Sequence, residues 1–157
     1  MGGRQAGLLM IYLVPVVVFF LDWLSKYGAL KFLDAHTPLE ILPIFNFYLT
    51  FNPGISFSML RADNPYGVWL LIGIACVICG FILYVFRKEK DKWIRFALML
   101  VLGGAIGNVW DRLCYGFVID FLDFHWGNYH WPAFNIADSA ICIGVAIMLW
   151  QTLRRKK

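Results

Sequence analysis

Charged residues are scarce in this sequence. Asp, Glu, Lys and Arg make up only 15% of its 157 residues, whereas hydrophobic residues make up 61% and the mean hydropathy is +0.67. Soluble globular domains carry about 25% charged residues, so this composition excludes an ordinary soluble protein. The apolar residues also occur in long blocks, which is typical of a membrane protein with several spans. The length predicts a single domain, residues 1–157.

The sequence also lacks an obvious nucleophile or phosphate-binding motif. Its four cysteines include a C-x-x-C at Cys76 and Cys79, but these two fall near the middle of an apolar span, away from any activating cation. We therefore expect them to be small packing residues. The glycine-rich segment at residues 103–107 has neither a Walker lysine nor a preceding strand, which argues against a phosphate cradle. With no activated serine, cysteine or metal set, water is the natural nucleophile.

The apolar blocks predict an all-α membrane protein with four transmembrane helices and a small extracytoplasmic β-sheet or loop region. Each block is close to the roughly 20 residues that a bilayer core requires. The spans are expected at about residues 8–27, 67–86, 94–113 and 136–153, with extracytoplasmic loops at about 31–65 and 114–133. In the first loop, apolar Phe45, Phe47, Leu49 and Phe51 alternate with polar residues, which indicates a strand with one apolar face.

The distribution of positive charge predicts the topology. Ten of the fourteen Lys and Arg residues fall on the side that carries both termini and the loop near residue 90. The positive-inside rule therefore places both termini in the cytoplasm. The remaining four, on the opposite side, are Lys26, Lys31, Arg61 and Arg112.

Rare polar residues from separate segments converge on the outer side. A carboxylate inside or beside an apolar span is costly, so its default interpretation is functional. Two carboxylates forced together can share a proton, one acting as base and the other as acid. The sequence therefore predicts an intramembrane aspartyl hydrolase built from Asp22, Asn52, Asn108, Asp111, Arg112, Asp120, Asn135 and Asp138.

Some of these residues have structural interpretations as well. Asn135 suits a helix N-cap and Asp138 the third helical position, where an acid is favoured by the helix dipole. Asp22 and Lys26 lie one helical turn apart and can pair, with Lys26 extending outward, either as an anchor at the helix end or as part of the site. Arg112 can hold either Asp111 or the backbone of a substrate by charge-assisted hydrogen bonds.

Five motifs follow one another along nearly the whole chain. They are D-x-x-x-K at Asp22 and Lys26, N-x-G-x-x-F at Asn52, Gly54 and Phe57, G-G-A-x-G-N-x-x-D-R at residues 103–112, V-x-D-F at residues 118–121 and F-N-x-A-D at residues 134–138. At these motifs the chain resembles the lipoprotein signal peptidases (signal peptidase II), bacterial intramembrane aspartyl peptidases. It departs from the family at Ile55, where alanine is usual.

The resemblance implies that Asp120 and Asp138 are the catalytic pair. It further implies a substrate site lined by Asn52, Gly54, Asn108, Arg112 and Asn135, with structural support from Asp22, Lys26 and Asp111. The implied reaction is hydrolysis of the bond before a diacylglyceryl-modified cysteine in a prolipoprotein, at the outer leaflet of the bacterial inner membrane. Membrane lipid and the cyclic peptide inhibitor globomycin are the other implied partners. No cofactor, metal ion or nucleic acid is expected.

Three alternatives stay open at this point. The D-x-x-D formed by Asp120 and Asp123 could hold Mg²⁺ against a lipid phosphate, as in a transferase. Cys76 and Cys79 could serve a four-helix thiol oxidoreductase. A non-enzymatic transporter could use the polar face, although the cytoplasmic half offers no polar path.

Overall fold

The computed structural model describes residues 2–35, 37–54 and 65–155. Ile55 and Phe57, which belong to the second motif, lie outside the described residues. Within the described ranges the chain forms four helices and four strands, in the order α1 Gly2–Phe32, β1 Leu39–Leu42, β2 Phe45–Asn52, α2 Pro65–Lys88, α3 Lys92–Tyr115, β3 Val118–Trp126, β4 Tyr129–His130 and α4 Ile136–Arg155.

Each of these four helices is long and apolar enough to cross a membrane. The candidate spans are Met10–Phe32, Tyr66–Lys88, Lys92–Tyr115 and Ile136–Arg155. The predicted spans fall inside the corresponding helices, so the prediction of a four-helix membrane protein with a small sheet is confirmed. Two of the helices extend further than predicted at their C-terminal ends. α1 reaches Phe32 and α3 reaches Tyr115, which shortens the loop that follows each of them.

One stripe of residues along α3 packs closely against α1. A Cβ atom at Gly103 would lie only 2.8 Å from the Pro15 Cα, and a Cβ atom at Gly107 would lie 2.6 Å from the Asp22 carboxylate. The absence of a side chain at these two glycines therefore allows α1 and α3 to approach closely. Asp111 follows one turn later on the same stripe and likewise faces α1.

A second stripe of α3 faces the beginning of α4. Gly104 lies so close to the Ala137 carbonyl oxygen that a Cβ atom would not fit. Asn108, one turn later, hydrogen-bonds to Asp138. The four-residue spacing of Gly104, Asn108 and Arg112 puts them on one face of α3, and this face lies beside the N-terminus of α4.

The four strands form one antiparallel sheet in the order β1-β2-β3-β4. The predicted strand at residues 45–51 is present as β2, but the prediction that it has one purely apolar face is wrong. Asn46 and Leu49 are the buried residues of β2, because a β-bulge between Phe47 and Thr50 interrupts the alternation. β3 lies in a segment that the sequence assigned to a loop. Its residues 118–121 are all buried, so the strand carries no period-2 signal.

Two contacts bring β3 to the start of α4. Gly116 adopts φ 80°, and its N–H donates to the Arg112 carbonyl at 3.1 Å, which ends α3 immediately before β3. Leu122 and Phe134 then exchange backbone hydrogen bonds of 2.9 and 3.0 Å. As a result, β3 runs alongside Asn135, the residue that precedes α4.

Candidate active site

Asp120 is held between two amide groups in the middle of the sheet. Its side chain is 1% exposed. The Asn135 Nδ2 donates to Asp120 Oδ1 at 2.8 Å, and the Asn52 Nδ2 donates to Asp120 Oδ2 at 3.1 Å. Both oxygens of a buried carboxyl group therefore have donors, and neither donor carries a charge.

The bulge in β2 explains why Asn52 reaches Asp120. Beyond the bulge, Thr50 lies opposite Asp120 and Asn52 lies opposite Val118. Directly opposed residues project to the same face of a sheet, so Asn52 shares the face of Asp120. Without the extra residue, Phe51 would lie opposite Val118 and Asn52 would point to the other face.

Gly54 fixes the orientation of the Asn52 amide. Its backbone N–H donates to Asn52 Oδ1 at 3.0 Å, which leaves the NH₂ group of Asn52 to face Asp120. Gly54 adopts φ 122°, a conformation that a residue with a Cβ atom rarely tolerates. The requirement for glycine in this motif is therefore a backbone requirement.

Asp138 lies at the N-terminus of α4 in a capping box. Asn135 Oδ1 accepts the Asp138 N–H at 2.9 Å, and the Asn135 N–H points to Asp138 Oδ2 at 3.4 Å. Asp138 Oδ1 also accepts a 2.7 Å hydrogen bond from Asn108 Nδ2. The prediction that Asn135 is the N-cap is confirmed. The carboxyl group of Asp138 therefore takes part in helix capping and also lies beside Asp120. The dipole of α4 favours negative charge at this end of the helix.

Asn135 connects the two aspartates. It is fully buried, caps α4 beside Asp138, and directs its NH₂ group at Asp120. The same NH₂ group lies 3.2 Å from the Ile119 carbonyl and 3.2 Å from Asn108 Oδ1. One asparagine thus sets the relative position of carboxyl groups that come from a strand and a helix.

The environment of Asp120 raises its pKa from 3.8 to about 7. Burial is the largest cause, because it penalises the charged carboxylate, and the nearby negative charge of Asp138 adds to it. The two amide hydrogen bonds act in the opposite direction but are outweighed. Asp120 can therefore keep its proton at a pH far above the ordinary pKa of an aspartate.

Lys26 points inward, so the predicted outward extension of this side chain is wrong. It is 2% exposed, and its Nζ lies 2.7 Å from Asp22 Oδ2 and 2.8 Å from Asp111 Oδ2. Asp22 and Asp111 are themselves buried, and two buried carboxylates require a cation between them. Asp22 Oδ1 also accepts the Ala137 N–H at 2.8 Å, so the cluster fastens α1 to the start of α4.

Arg112 does not pair with Asp111. Asp111 instead contacts Lys26 and accepts the Ile119 N–H at 3.1 Å. Arg112 Nη1 donates to the Asn108 carbonyl at 3.3 Å, and its buried Nε has no hydrogen-bond partner among the described residues. Of the two partners that the sequence allowed, Asp111 is therefore excluded. A guanidinium group with an unused donor beside Asp120 and Asp138 is suited to hold a polar ligand.

Comparison with known proteins identifies the family. A sequence profile described as signal peptidase (SPase) II matches residues 14–154. The chain belongs to the signal peptidase II family. A lipoprotein signal peptidase of Polynucleobacter necessarius subsp. necessarius (strain STIR1) is 44% identical over 153 residues, covering 97% of this chain and 94% of the relative. One of Vibrio campbellii (strain ATCC BAA-1116) is 48% identical over 157 residues, covering 98% and 93%.

A solved structure agrees with this assignment. A bacterial membrane enzyme determined by the in meso method is similar, with a TM-score of 0.83 and 28% identity over 94% of this chain and 90% of that chain. Membership of the signal peptidase II family makes this protein a membrane aspartic peptidase, as predicted from its motifs.

Neither enzymatic alternative to a signal peptidase II is supported. Residues three apart on a strand project to opposite faces, so Asp120 and Asp123 cannot chelate one ion. Asp123 instead contacts Asn46 Nδ2 at 3.1 Å and His130 Nδ1 at 2.9 Å. In the described parts of the chain, no group of three or more His, Cys, Asp or Glu residues is arranged to hold a metal ion. Cys76 and Cys79 are free thiols on α2, distant in sequence from this cluster.

Three parts of the site were missed by sequence reasoning. The backbone N–H and carbonyl of Ile119 bind Asp111 and Asn135, and the backbone N–H of Ala137 binds Asp22. The contact of Lys26 Nζ with Asn108 Oδ1, at 3.2 Å, was also not predicted. Backbone groups leave no side-chain signal. The opposite charges of the D-x-x-x-K and G-N-x-x-D motifs on two spans are a signal for the Lys26–Asp111 pair, but the uncharged Asn108 carries no such signal.

Proposed function

We propose that this protein removes the signal peptide from prolipoproteins by hydrolysing the peptide bond before a diacylglyceryl-modified cysteine, with Asp120 and Asp138 as the catalytic pair. The observation that carries the assignment of the pair is their shared connection through Asn135. The side-chain NH₂ group of Asn135 donates to Asp120, and its side-chain oxygen accepts the backbone N–H of Asp138. The names of the relatives support the substrate class.

In the proposed reaction, Asp138 is the general base and Asp120 the general acid. Asp138 takes a proton from a water molecule whose oxygen attacks the scissile carbonyl carbon, while protonated Asp120 hydrogen-bonds to the carbonyl oxygen. The tetrahedral intermediate then collapses, the C–N bond breaks, and the leaving amine takes up a proton from the pair. The products are the carboxyl end of the signal peptide and a lipoprotein with an N-terminal lipid-modified cysteine.

The substrate backbone is proposed to bind beside the pair, against Asn52, Gly54, Asn108, Arg112 and Asn135. Arg112 is the residue best suited to contact it, since its buried Nε is unpaired among the described residues. A peptide carbonyl is an acceptor that would satisfy this donor. Asp22, Lys26 and Asp111 support the site by joining α1, α3 and α4.

The site is proposed to face the outer leaflet of the bacterial inner membrane, with both chain termini in the cytoplasm. The sheet and the aspartates lie at one end of the helices, and the loop around residue 90 lies at the other. At that other end, Arg155 contacts Glu89 and Asp91, each at 3.2 Å. The excess of Lys and Arg at this end supports the orientation. A reporter active only in the cytoplasm should work at residue 90 or 157 and be silent at residue 128; the reverse pattern would overturn it.

The function is tested with purified protein and a synthetic prolipopeptide that carries a diacylglyceryl cysteine. We expect cleavage immediately before that cysteine, full activity in EDTA, and inhibition by globomycin. A matched peptide with an unmodified cysteine should be cleaved far more slowly. Equal cleavage of both peptides would refute the substrate class, and a strict Mg²⁺ requirement would restore the transferase alternative. The Cys76→Ser, Cys79→Ser double variant should remain active.

A further inference from the structure

The buried ammonium group of Lys26 lies within hydrogen-bond distance of three oxygen acceptors. Two acceptors are the carboxylates of Asp22 and Asp111, at 2.7 and 2.8 Å. The third is an uncharged oxygen, Asn108 Oδ1, at 3.2 Å. Without this contact the third N–H of a buried ammonium group would be an unsatisfied donor, so Asn108 Oδ1 is the acceptor that completes the hydrogen bonding of Lys26.

The contact with Lys26 determines which end of the Asn108 amide faces Asp138. Asn108 Oδ1 receives two donors, Lys26 Nζ and Asn135 Nδ2, both at 3.2 Å. The NH₂ group of Asn108 consequently points the other way and donates to Asp138 Oδ1 at 2.7 Å. Rotating the amide by 180° would place its NH₂ group against an ammonium group and a second NH₂ group, which is unfavourable. Lys26 therefore orients the Asn108 amide so that its NH₂ group donates to Asp138, although Lys26 does not itself contact Asp138.

We propose that Lys26 is a positioning residue of the catalytic pair, acting through Asn108 to supply Asp138 with the donor that favours its ionised form. This inference rests on the proposed function, because it assumes that Asp138 is the general base. A hydrogen bond to an ionised acceptor is stronger than one to a neutral acceptor. The hydrogen bond from Asn108 therefore stabilises the carboxylate form of Asp138 over its carboxylic acid form. When Lys26 is removed, the amide is free to rotate and present its oxygen to Asp138.

Lys26 also acts on the pair directly through its charge, and the test has to separate the two effects. The charged and titratable groups around Asp138 are Asp22 and Lys26 from α1, Asp111 and Arg112 from α3, and Asp120 from β3. A direct effect of the Lys26 charge would persist when Asn108 is absent. An effect that passes through Asn108 would disappear with it. A double-mutant cycle distinguishes these cases.

The cycle compares wild type, Lys26→Met, Asn108→Ala and the double variant by the pH dependence of kcat on the lipid-modified prolipopeptide. Each single variant should lower kcat at neutral pH by about 10- to 100-fold, the range expected for a hydrogen bond to a charged group. Each should move the acid limb of the profile toward higher pH, because the ionised form of Asp138 loses a hydrogen-bond donor. KM should change little in the Lys26→Met variant, since Lys26 is buried behind Asn108.

The decisive result is the double variant. If Lys26 acts through Asn108, Lys26→Met should change kcat less than about 3-fold once Asn108 is alanine. Multiplicative losses would overturn the proposal and leave a direct electrostatic or purely structural role. Lys26→Gln, which keeps a polar group between the two carboxylates, provides the same cycle if Lys26→Met does not fold. A different result would refute the proposed function itself, namely cleavage that persists in the Asp120→Asn or Asp138→Asn variant.

Discussion

Asp120 and Asp123 are carboxyl groups on the same strand, nearly equal in burial, yet they lie in different chemical surroundings. They are 1% and 3% exposed. Asp120 faces α4, where its donors are the uncharged amides of Asn52 and Asn135 and its neighbour is a second carboxylate. Asp123 projects to the other face and contacts the imidazole of His130, which can itself become a cation.

This difference teaches that burial alone does not make a carboxyl group suitable for proton transfer. A buried carboxylate beside a titratable base can remain charged, because its partner supplies the opposite charge. Among the residues that the structure describes, Asp120 forms hydrogen bonds to uncharged amides and no direct ion pair, and burial together with the negative charge of Asp138 raises its pKa to about 7. The alternation of side chains along one strand thus separates a site for chemistry from a contact that fastens β3 to β4.

The largest expected effect comes from removing each carboxyl group in turn. Asp120→Asn and Asp138→Asn should each lower the cleavage rate by about 10³-fold or more, in line with the loss of a general acid or base. Asp123→Asn should leave the rate within about 10-fold, because this side chain projects away from the pair. Initial rates on the lipid-modified prolipopeptide measure all three.

Size-exclusion elution and helix content in detergent serve as controls for folding of these variants. Robust turnover by either the Asp120 or the Asp138 variant would remove the catalytic pair. A loss at Asp123 as large as that at Asp120 would show that the two faces of β3 are not functionally distinct.

The next effect is on stability as a function of pH. The pKa of Asp120 is about 7 in the folded protein and near 3.8 when exposed, so between these values the folded state binds more protons than the unfolded state. The stability contributed by this group is therefore complete below pH 4 and is lost as pH rises through about 7. At about 1.4 kcal/mol per pKa unit, the loss is at most about 4.5 kcal/mol.

Asp120→Asn removes this dependence, since an amide does not titrate. Relative to wild type, its melting temperature in detergent should therefore increase between pH 4 and pH 8. Asp123→Asn provides the comparison and should not show the same gain. A melting-temperature difference between Asp120→Asn and wild type that stays constant across this range would mean that the pKa of Asp120 is not raised by its surroundings.

A smaller effect is expected from two glycines, one on each side of the comparison. Gly54 adopts φ 122° beside Asn52, and Gly127 adopts φ 56° in the connection between β3 and β4. Alanine at either position carries backbone strain of about 1–3 kcal/mol. Gly54→Ala should lower cleavage by about 10-fold because it disturbs the Asn52 amide, whereas Gly127→Ala should lower the melting temperature alone. Equal cleavage rates for the two variants would argue that the backbone conformation of Gly54 is not needed to orient the Asn52 amide.

Much of the fold was predictable because membrane spans leave a strong signal in composition and length. The four apolar blocks predicted the four helices, and the four-residue repeats of α3 indicated which residues share a face, although not that these faces meet α1 and α4. β3 was not predictable from its pattern. Residues 118–121 are buried on both faces, so apolar and acidic residues follow one another without a period.

The candidate site was predictable in its residues but only partly in its geometry. Carboxylates and asparagines in an apolar chain are costly, which is why Asp120, Asn135 and Asp138 could be singled out. The inward direction of Lys26 was not evident, because a lysine near the end of a span ordinarily reaches for water. That direction is determined by the carboxylates of Asp22 and Asp111, which meet only after α1 and α3 have packed.

The smallest effect concerns which aspartate holds the shared proton. Asp138 lies in the first turn of α4 and accepts the Asn108 amide at 2.7 Å, and the helix dipole adds about 0.3–1 kcal/mol in favour of its ionised form. The pKa of Asp120 is raised to about 7, so in the free enzyme at mildly acidic pH the proton should reside on Asp120. Infrared spectroscopy should show a protonated carboxyl band that Asp120→Asn abolishes and Asp123→Asn retains. A band that survives in Asp120→Asn but is lost in Asp138→Asn would reverse the assignment of acid and base, while the pair itself would stand.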